Sequence, residues 1–117
     1  MKMIVAIIRP ERLEAVQEAL NERDVYLMTV SDVRGCGRQR GYTEVYRGTE
    51  FQVRLLPKLK LEIAINVAFV EATIEAIVHA ARTAETGQVG DGKIFVLPLE
   101  DCVRIRTGER GGDAIGP

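Results

Sequence analysis

The chain has no tryptophan, a single histidine and only two cysteines in 117 residues. A zinc site needs about four clustered ligands. Cys36 and Cys102 form no Cys-x-x-Cys pair, and His79 is their only soft companion, so a Cys/His metal centre is excluded and two free thiols in a reducing compartment are expected. His79 lies in a helical run and reads as a helix-face residue, not a catalyst. A basic surplus is also missing: 16 Lys and Arg stand against 17 Asp and Glu, a formal net charge of -1. General nucleic-acid binding is thereby excluded, and any anion binding must come from local clusters. Long apolar runs are absent too. The run over residues 3–8 is shorter than a signal peptide's core of about 7–15 residues, and Arg9, Pro10 and Glu11 interrupt it. Nothing approaches the ~18 apolar residues of a membrane span. A soluble, cytoplasmic protein is expected. No nucleophile, base and orienting group stand together, so binding without efficient turnover is the default.

Hydrophobic residues at 46% and charged residues at 28% suit one globular domain over 1–117. Residues 3–8 form a continuous Ile/Val run, a strand buried on both faces. Pro10 then opens a helix, with Glu11 and Glu14 at its positive end. Leu13, Val16 and Leu20 make its stripe, and Asn21 ends it. Residues 25–33 read as a second strand. The cleanest alternation runs over residues 58–66, where Leu59, Leu61, Ile63 and Ile65 face one way. Val70, Ile74, Ile77, Val78 and Ala81 follow at helical spacing. Residues 94–99 are another strand, 103–106 a short alternating one, and 108–117 a glycine-rich mobile tail. The order β-α-β, long excursion, β-α-β predicts an α+β, ferredoxin-like split βαβ (βαββαβ) domain with a long loop between strands 2 and 3. If the sheet's second face is apolar, self-association covers it most cheaply.

Roughly twenty residues connect Gly35 to Pro57, longer than compact domains usually tolerate without a function. They hold Tyr42, Tyr46, Phe51 and four arginines among their glycines, the content of a recognition loop; an unusually long β-hairpin is the plainer reading. Three segments suit a polyanion. Gly35-Cys36-Gly37-Arg38-Gln39-Arg40-Gly41 frees backbone amides beside two arginines. Thr86-Gly87-Gln88-Val89-Gly90-Asp91-Gly92-Lys93 offers a phosphate cradle. Arg104-Ile105-Arg106, taken as a strand, places two guanidinium groups side by side. Residues 87–93 satisfy G-x-x-x-x-G-K, yet Ile94 replaces the magnesium-binding Ser/Thr and a helix precedes the loop, so a P-loop fold is rejected.

Together these motifs resemble the PII nitrogen-regulatory signal-transduction family, of the type that regulates ammonium transporters. Residues 86–96 match the family's second signature throughout. Gly37-Arg38-Gln39, Tyr46-Arg47-Gly48, Leu56-Pro57-Lys58 and Arg104-Ile105-Arg106-Thr107-Gly108-Glu109 agree as well. The resemblance implies a homotrimer with ATP or ADP between neighbouring subunits, and a regulatory protein with at most slow ATP hydrolysis. It divides the chain into a T-loop at 37–55, a B-loop at 83–93 and a C-terminal loop or tail at 102–117. It assigns nucleotide binding to Gly37, Arg38 and Gln39, to Gly87, Gly90, Asp91, Gly92 and Lys93, and to Arg104 and Arg106. Thr29, Glu62 and Ala64 would line the adenine side. Gln39 would help hold Mg2+ beside ATP, and 2-oxoglutarate would bind that magnesium with help from Lys58. Arg47 would enter the cytoplasmic exit of an ammonium transporter, recruiting the protein reversibly to the membrane; a nitrogen-assimilation enzyme is a second possible partner.

The chain departs from the family at several points. Phe51 stands where uridylylated members carry Tyr, so that modification is not expected here. Arg40 replaces a frequent Lys, Cys36 a bulkier apolar residue, and three extra residues precede Thr86. Three rival readings compete: a slow nucleotide-hydrolysing enzyme, for which no water-positioning base stands out; an adenylate sensor that ignores 2-oxoglutarate and controls a biosynthetic enzyme; and a trimeric metal-tolerance protein, for which the ligands are missing.

Overall fold

A computed structural model describes residues 1–36, 45–46, 50–51 and 55–116. Its elements are β1 (Lys2–Ile8), a 3-10 turn (Pro10–Arg12), α1 (Leu13–Asn21), β2 (Thr29–Cys36), β3 (Val45–Tyr46), β4 (Glu50–Phe51), β5 (Leu55–Ile65), a second 3-10 turn (Val67–Phe69), α2 (Val70–Ala81), β6 (Gly92–Pro98) and α3 (Gly112–Ile115). Four strands form one sheet in the order β2-β5-β1-β6, every neighbour antiparallel. Both β-α-β crossovers skip one strand, which is the split βαβ plan that the element order predicts. β3 and β4 pair separately, Val45 with Phe51 and Tyr46 with Glu50.

Alternation decides which face is core. Ile4, Ala6 and Ile8 of β1 and Leu59, Leu61, Ile63 and Ile65 of β5 are buried, and the register sets Ile4 opposite Ile63 and Ala6 opposite Leu61. Val16 and Leu20 from α1, with Ala76, Ile77 and Ala80 from α2, cover them. The hydroxyl of buried Thr73 donates to the Phe69 carbonyl at 2.7 Å, so the core holds no stranded polar group there. On the opposite face Val5 pairs with Phe95 and Met3 with Leu97. Phe95 and Leu97 remain about half exposed, and among the described residues no layer covers this apolar sheet face.

The structure corrects four readings of the sequence. The second strand runs over 29–36, not 25–33: the Val25 amide donates to the Leu20 carbonyl to close α1, Asp24 takes a left-handed φ of 60°, and the Val25 side chain enters the core. Tertiary burial outweighs its β-propensity. Residues 103–106 are not a strand. Only Val103 bridges, to Arg110, and the Gly108 amide closes a turn onto the Arg104 carbonyl at 2.7 Å. The segment over 108–116 is folded: it contains α3, and Ile115 is buried. Along α2, Ile77 and Ala81 are buried and Val70 and Ile74 pack against the core as the spacing predicts, but Thr73, Ala76 and Ala80 share the buried face and Val78 is exposed.

Candidate functional site

Helix α2 ends at Ala81, where the last carbonyls of any helix need partners. Arg12 supplies one, its Nε and Nη2 both donating to the Ala80 carbonyl at 2.8 and 2.5 Å. The chain then leaves in extended conformation at Arg82 and enters the glycine-rich loop. Asp91 holds that loop closed. Its carboxylate accepts from the Thr83 amide (2.9 Å), the Thr83 hydroxyl (2.5 Å), the Gln88 amide (2.8 Å) and Arg9 Nε (3.0 Å). Partial burial opposes ionisation, but the bonds from Thr83, Gln88 and Arg9 outweigh it and hold the carboxyl well below the usual carboxylate range.

Two cations fix successive carbonyls of the same loop. Arg9 Nη2 donates to the Val89 carbonyl at 3.0 Å, and Lys58 Nζ donates to the Gly90 carbonyl at 2.6 Å. Burial first, and then the charge of Arg9, lower the Lys58 pKa. Gly92 makes the closest approach. At its φ of +118° a Cβ would sit 1.7 Å from the Ile7 carbonyl oxygen, so no side chain fits where β6 joins β1.

These residues wall a cleft of about 410 Å³, in which Lys58, Gly90, Gly92 and Lys93 meet Gly35 and Cys36. Gly87 and Asp91 lie in the same loop. Thr29, Glu62 and Ala64 share a different place: Thr29 faces Glu62 across β2 and β5, and Ala64 lies one position further along the same face. Glu62 is four residues from Lys58 on β5, about 14 Å by strand rise. Arg104 is further away still. Its Nη1 donates to Glu109 Oε1 at 2.8 Å and its Nη2 to the Asp113 and Ala114 carbonyls at 3.0 and 3.3 Å. That segment is tied to the far end of β5, where Asn66 Nδ2 donates to the Gly112 and Gly116 carbonyls. Lys58 and Asn66 are eight residues apart on or just past one strand, about 27 Å. Arg106 lies in the exposed turn beside Arg104, so the expected pair of arginines on one strand face does not form. Gly37, Arg38, Gln39 and Arg47 fall outside the described residues.

A family model described as nitrogen regulatory protein P-II matches residues 1–109. The chain belongs to the P-II family. It is 56% identical over 115 residues to the nitrogen regulatory protein P-II of Rhodospirillum rubrum, covering 98% of this chain and the whole relative. A P-II protein of Azospirillum brasilense is 55% identical over the same coverage. Nitrogen regulatory protein GlnK1 of Methanosarcina mazei is 54% identical, over 98% of this chain and 97% of the relative. P-II proteins are regulatory signalling proteins, and nitrogen regulation is the family's business.

Within this P-II fold, sequence reasoning finds the glycines and Lys93 but misses the frame around them. Arg9 reads there only as the end of an apolar run, and neither Thr83 nor Asn66 stands out in the sequence. Arg9 and Asp91 are 82 positions apart, so no local pattern links them. One signal was available for Asp91: an Asp between two glycines in a loop can collect the amides on either side of it. Among the described residues of this P-II chain no group of three or more His, Cys, Asp or Glu is placed to hold a metal, and no helix is long and apolar enough to cross a membrane.

Proposed function

We propose that the chain is a non-catalytic adenylate sensor that works as a homotrimer, binds ATP or ADP between neighbouring copies, and passes the state of that site to a partner through residues 37–55. The observation that carries this reading is a separation. Lys58, Gly90 and Lys93 gather at one end of the sheet, while Arg104 and Arg106 sit at the other end, about 27 Å away along β5. One chain cannot bring both groups to one polyphosphate, but a second copy can. The apolar sheet face bearing Val5, Phe95 and Leu97 gives copies a reason to associate. The cleft suits a phosphate chain: cations on two sides, glycines at its rim, and its nearby carboxylate already bound by Arg9.

In this reading Gly87, Gly90, Asp91, Gly92 and Lys93 form the phosphate side, with Gly37, Arg38 and Gln39. Thr29, Glu62 and Ala64 form the adenine side, and Arg104 and Arg106 come from the neighbour. Gln39 helps hold Mg2+ beside ATP, and Lys58 receives 2-oxoglutarate, which requires its ammonium to share or leave the Gly90 carbonyl. Arg47 docks on the cytoplasmic face of an ammonium transporter. Since Phe51 has no phenolic oxygen, control by uridylylation at that position is absent. Ligands move residues 37–55 only through differential affinity for their arrangements, and any tightening of ATP by 2-oxoglutarate is reciprocal.

Isothermal titration with ATP and ADP, with magnesium and with or without 2-oxoglutarate, tests the sensor. One nucleotide per chain, tightened by 2-oxoglutarate, supports it. Binding indifferent to 2-oxoglutarate leaves an adenylate sensor alone, and no binding refutes the reading. The shared site has its own test. Lys93→Ala and Arg106→Ala each abolish binding alone, whereas subunit exchange between the two variants restores a fraction of sites.

A further inference from the structure

The larger apolar residues of α2 face the core except Val78, which is left exposed. Val78, partly buried Ile74 and buried Ala81, with Ile77, Ile8 and Ile94, wall a second cavity of about 310 Å³ between α2 and the edge strand β6. Its volume lies at the lower end of the range for small-molecule sites, roughly 300–1,000 Å³. Val78, 40% exposed, stands at its opening. Arg82 reaches the rim, while Lys93, paired with Ile7 two residues before Phe95, lines the wall with its side chain turned to the open face of the sheet. Among the described residues Arg82 has no carboxylate within 4 Å. The one carboxylate on the wall, Asp91, is already paired with Arg9. An apolar chamber with an uncompensated positive rim is complementary to one kind of molecule.

We propose that this cavity is a second ligand site, taking a small apolar monocarboxylate of the branched aliphatic or phenyl-substituted class, with Arg82 as its anion anchor. The cavity lies on the helix side of the sheet, away from the open face of Phe95 and Leu97. It is not isolated from the phosphate cleft. Ile7, Gly92 and Lys93 are walls of both, and the stem of Arg82 packs on the loop, its Cγ 3.2 Å from where a Gly87 Cβ would stand. An acid that draws Arg82 toward the cavity loosens its packing on the Gly87 loop. The acid and the nucleotide therefore oppose each other, each weakening the other by the same factor. This coupling rests on the adenylate reading; the acid site does not.

The test is an NMR titration of the full chain with 4-methylpentanoate, and with 4-methylpentanamide as its neutral isostere. Saturable shifts are expected at Ile74, Val78 and Ile94, with the amide about tenfold weaker for want of a charged hydrogen bond. Arg82→Gln should bring the acid down to the amide's affinity, and Val78→Glu should abolish binding of both. The proposal is overturned if no saturable shift appears, if Arg82→Gln changes nothing, or if the shifts map instead to Gly35 and Lys58. It is also overturned if Val78→Glu lowers the assembly mass in sedimentation, because a second copy then covers the cavity. At saturating 4-methylpentanoate, ADP should bind about fivefold more weakly; an unchanged ADP affinity overturns the coupling. Failure of ADP to bind the acid-free protein refutes the sensor reading and leaves the acid site to its own titration.

Discussion

Two glycine-rich segments of this chain look alike in composition and differ in how closely their backbones are packed. The loop ahead of β6 has Gly87, Gly90 and Gly92 at positive φ, and the C-terminal segment has Gly108, Gly111 and Gly116. In the first, a carboxylate within the loop does the framing: Asp91 ties the ends together, while Arg9 and Lys58 from β1's end and β5 hold consecutive carbonyls. Gly92 has no room for even one carbon. In the second, a Cβ at Gly108, Gly111 or Gly116 would meet nothing within 4 Å. Order there comes from Asn66, from the burial of Ile115, and from Asp101 and Arg104 just ahead of the segment. A glycine count therefore says little. What a side chain would meet, and which donors take the carbonyls, separates a framed loop from a segment pinned at a few points.

The sharpest break of this comparison is Gly92→Ala. A 1.7 Å approach to the Ile7 carbonyl cannot be relieved without parting β6 from β1, and the expected loss is about 4 kcal/mol or more. Urea unfolding measures it, and a loss of only about 1 kcal/mol would mean that Gly92 is there for flexibility alone. Next comes the carboxylate. Asp91→Asn keeps the shape, but it removes the charge and leaves one oxygen to serve four donors, for an expected cost of about 3 kcal/mol near pH 7. The folded carboxyl has a depressed pKa. Its contribution is therefore fully present above the unfolded value near 4 and fades as the pH falls below it. The gap between wild type and Asp91→Asn should narrow through acid titration. A gap independent of pH would show that the oxygen positions matter and the charge does not.

The same contrast explains what could be read in advance. A strand at β1, the end of α1 at Asn21 and the alternation of β5 are written in local spacing, and the structure reproduces them, but β1 is buried only on the face of Ile4, Ala6 and Ile8 and not on both. Residues 103–106 alternate equally well, yet Val103 finds a single bridge partner and Ile105 is wholly exposed. Alternation without a neighbouring strand to complete the ladder is not a strand. Residues 25–33 fail for the reverse reason, since Val25 is claimed by the core before the strand begins. At the site, glycines and Lys93 are legible because backbone freedom and charge are properties of single residues. The frame is not, because Arg9 and Asp91, or Asn66 and Gly112, become neighbours only after folding.

A third prediction probes how the C-terminal segment is pinned. Asn66→Ala removes both donations to the Gly112 and Gly116 carbonyls, for an expected loss of about 2 kcal/mol. Amide exchange should accelerate over residues 111–116 and stay unchanged at Thr83 and Gln88. Acceleration in both places would mean that the two segments are one cooperative unit, and the contrast between them would fail.

Gly108→Ala has the smallest expected effect and decides how the largest is interpreted. Gly108 and Gly92 both have positive φ, at +74° and +118°, so an alanine pays backbone strain at either position, about 1 kcal/mol where nothing else is wrong. Around Gly108 nothing else is wrong: its Cβ position is open, and its amide can still donate to the Arg104 carbonyl. The loss in urea unfolding should therefore stay near 1 kcal/mol, and the excess seen with Gly92→Ala combines the Ile7 contact with the greater strain of its φ. Equal losses would place the cause in the left-handed backbone common to both glycines, and the steric account of the strand junction would fall.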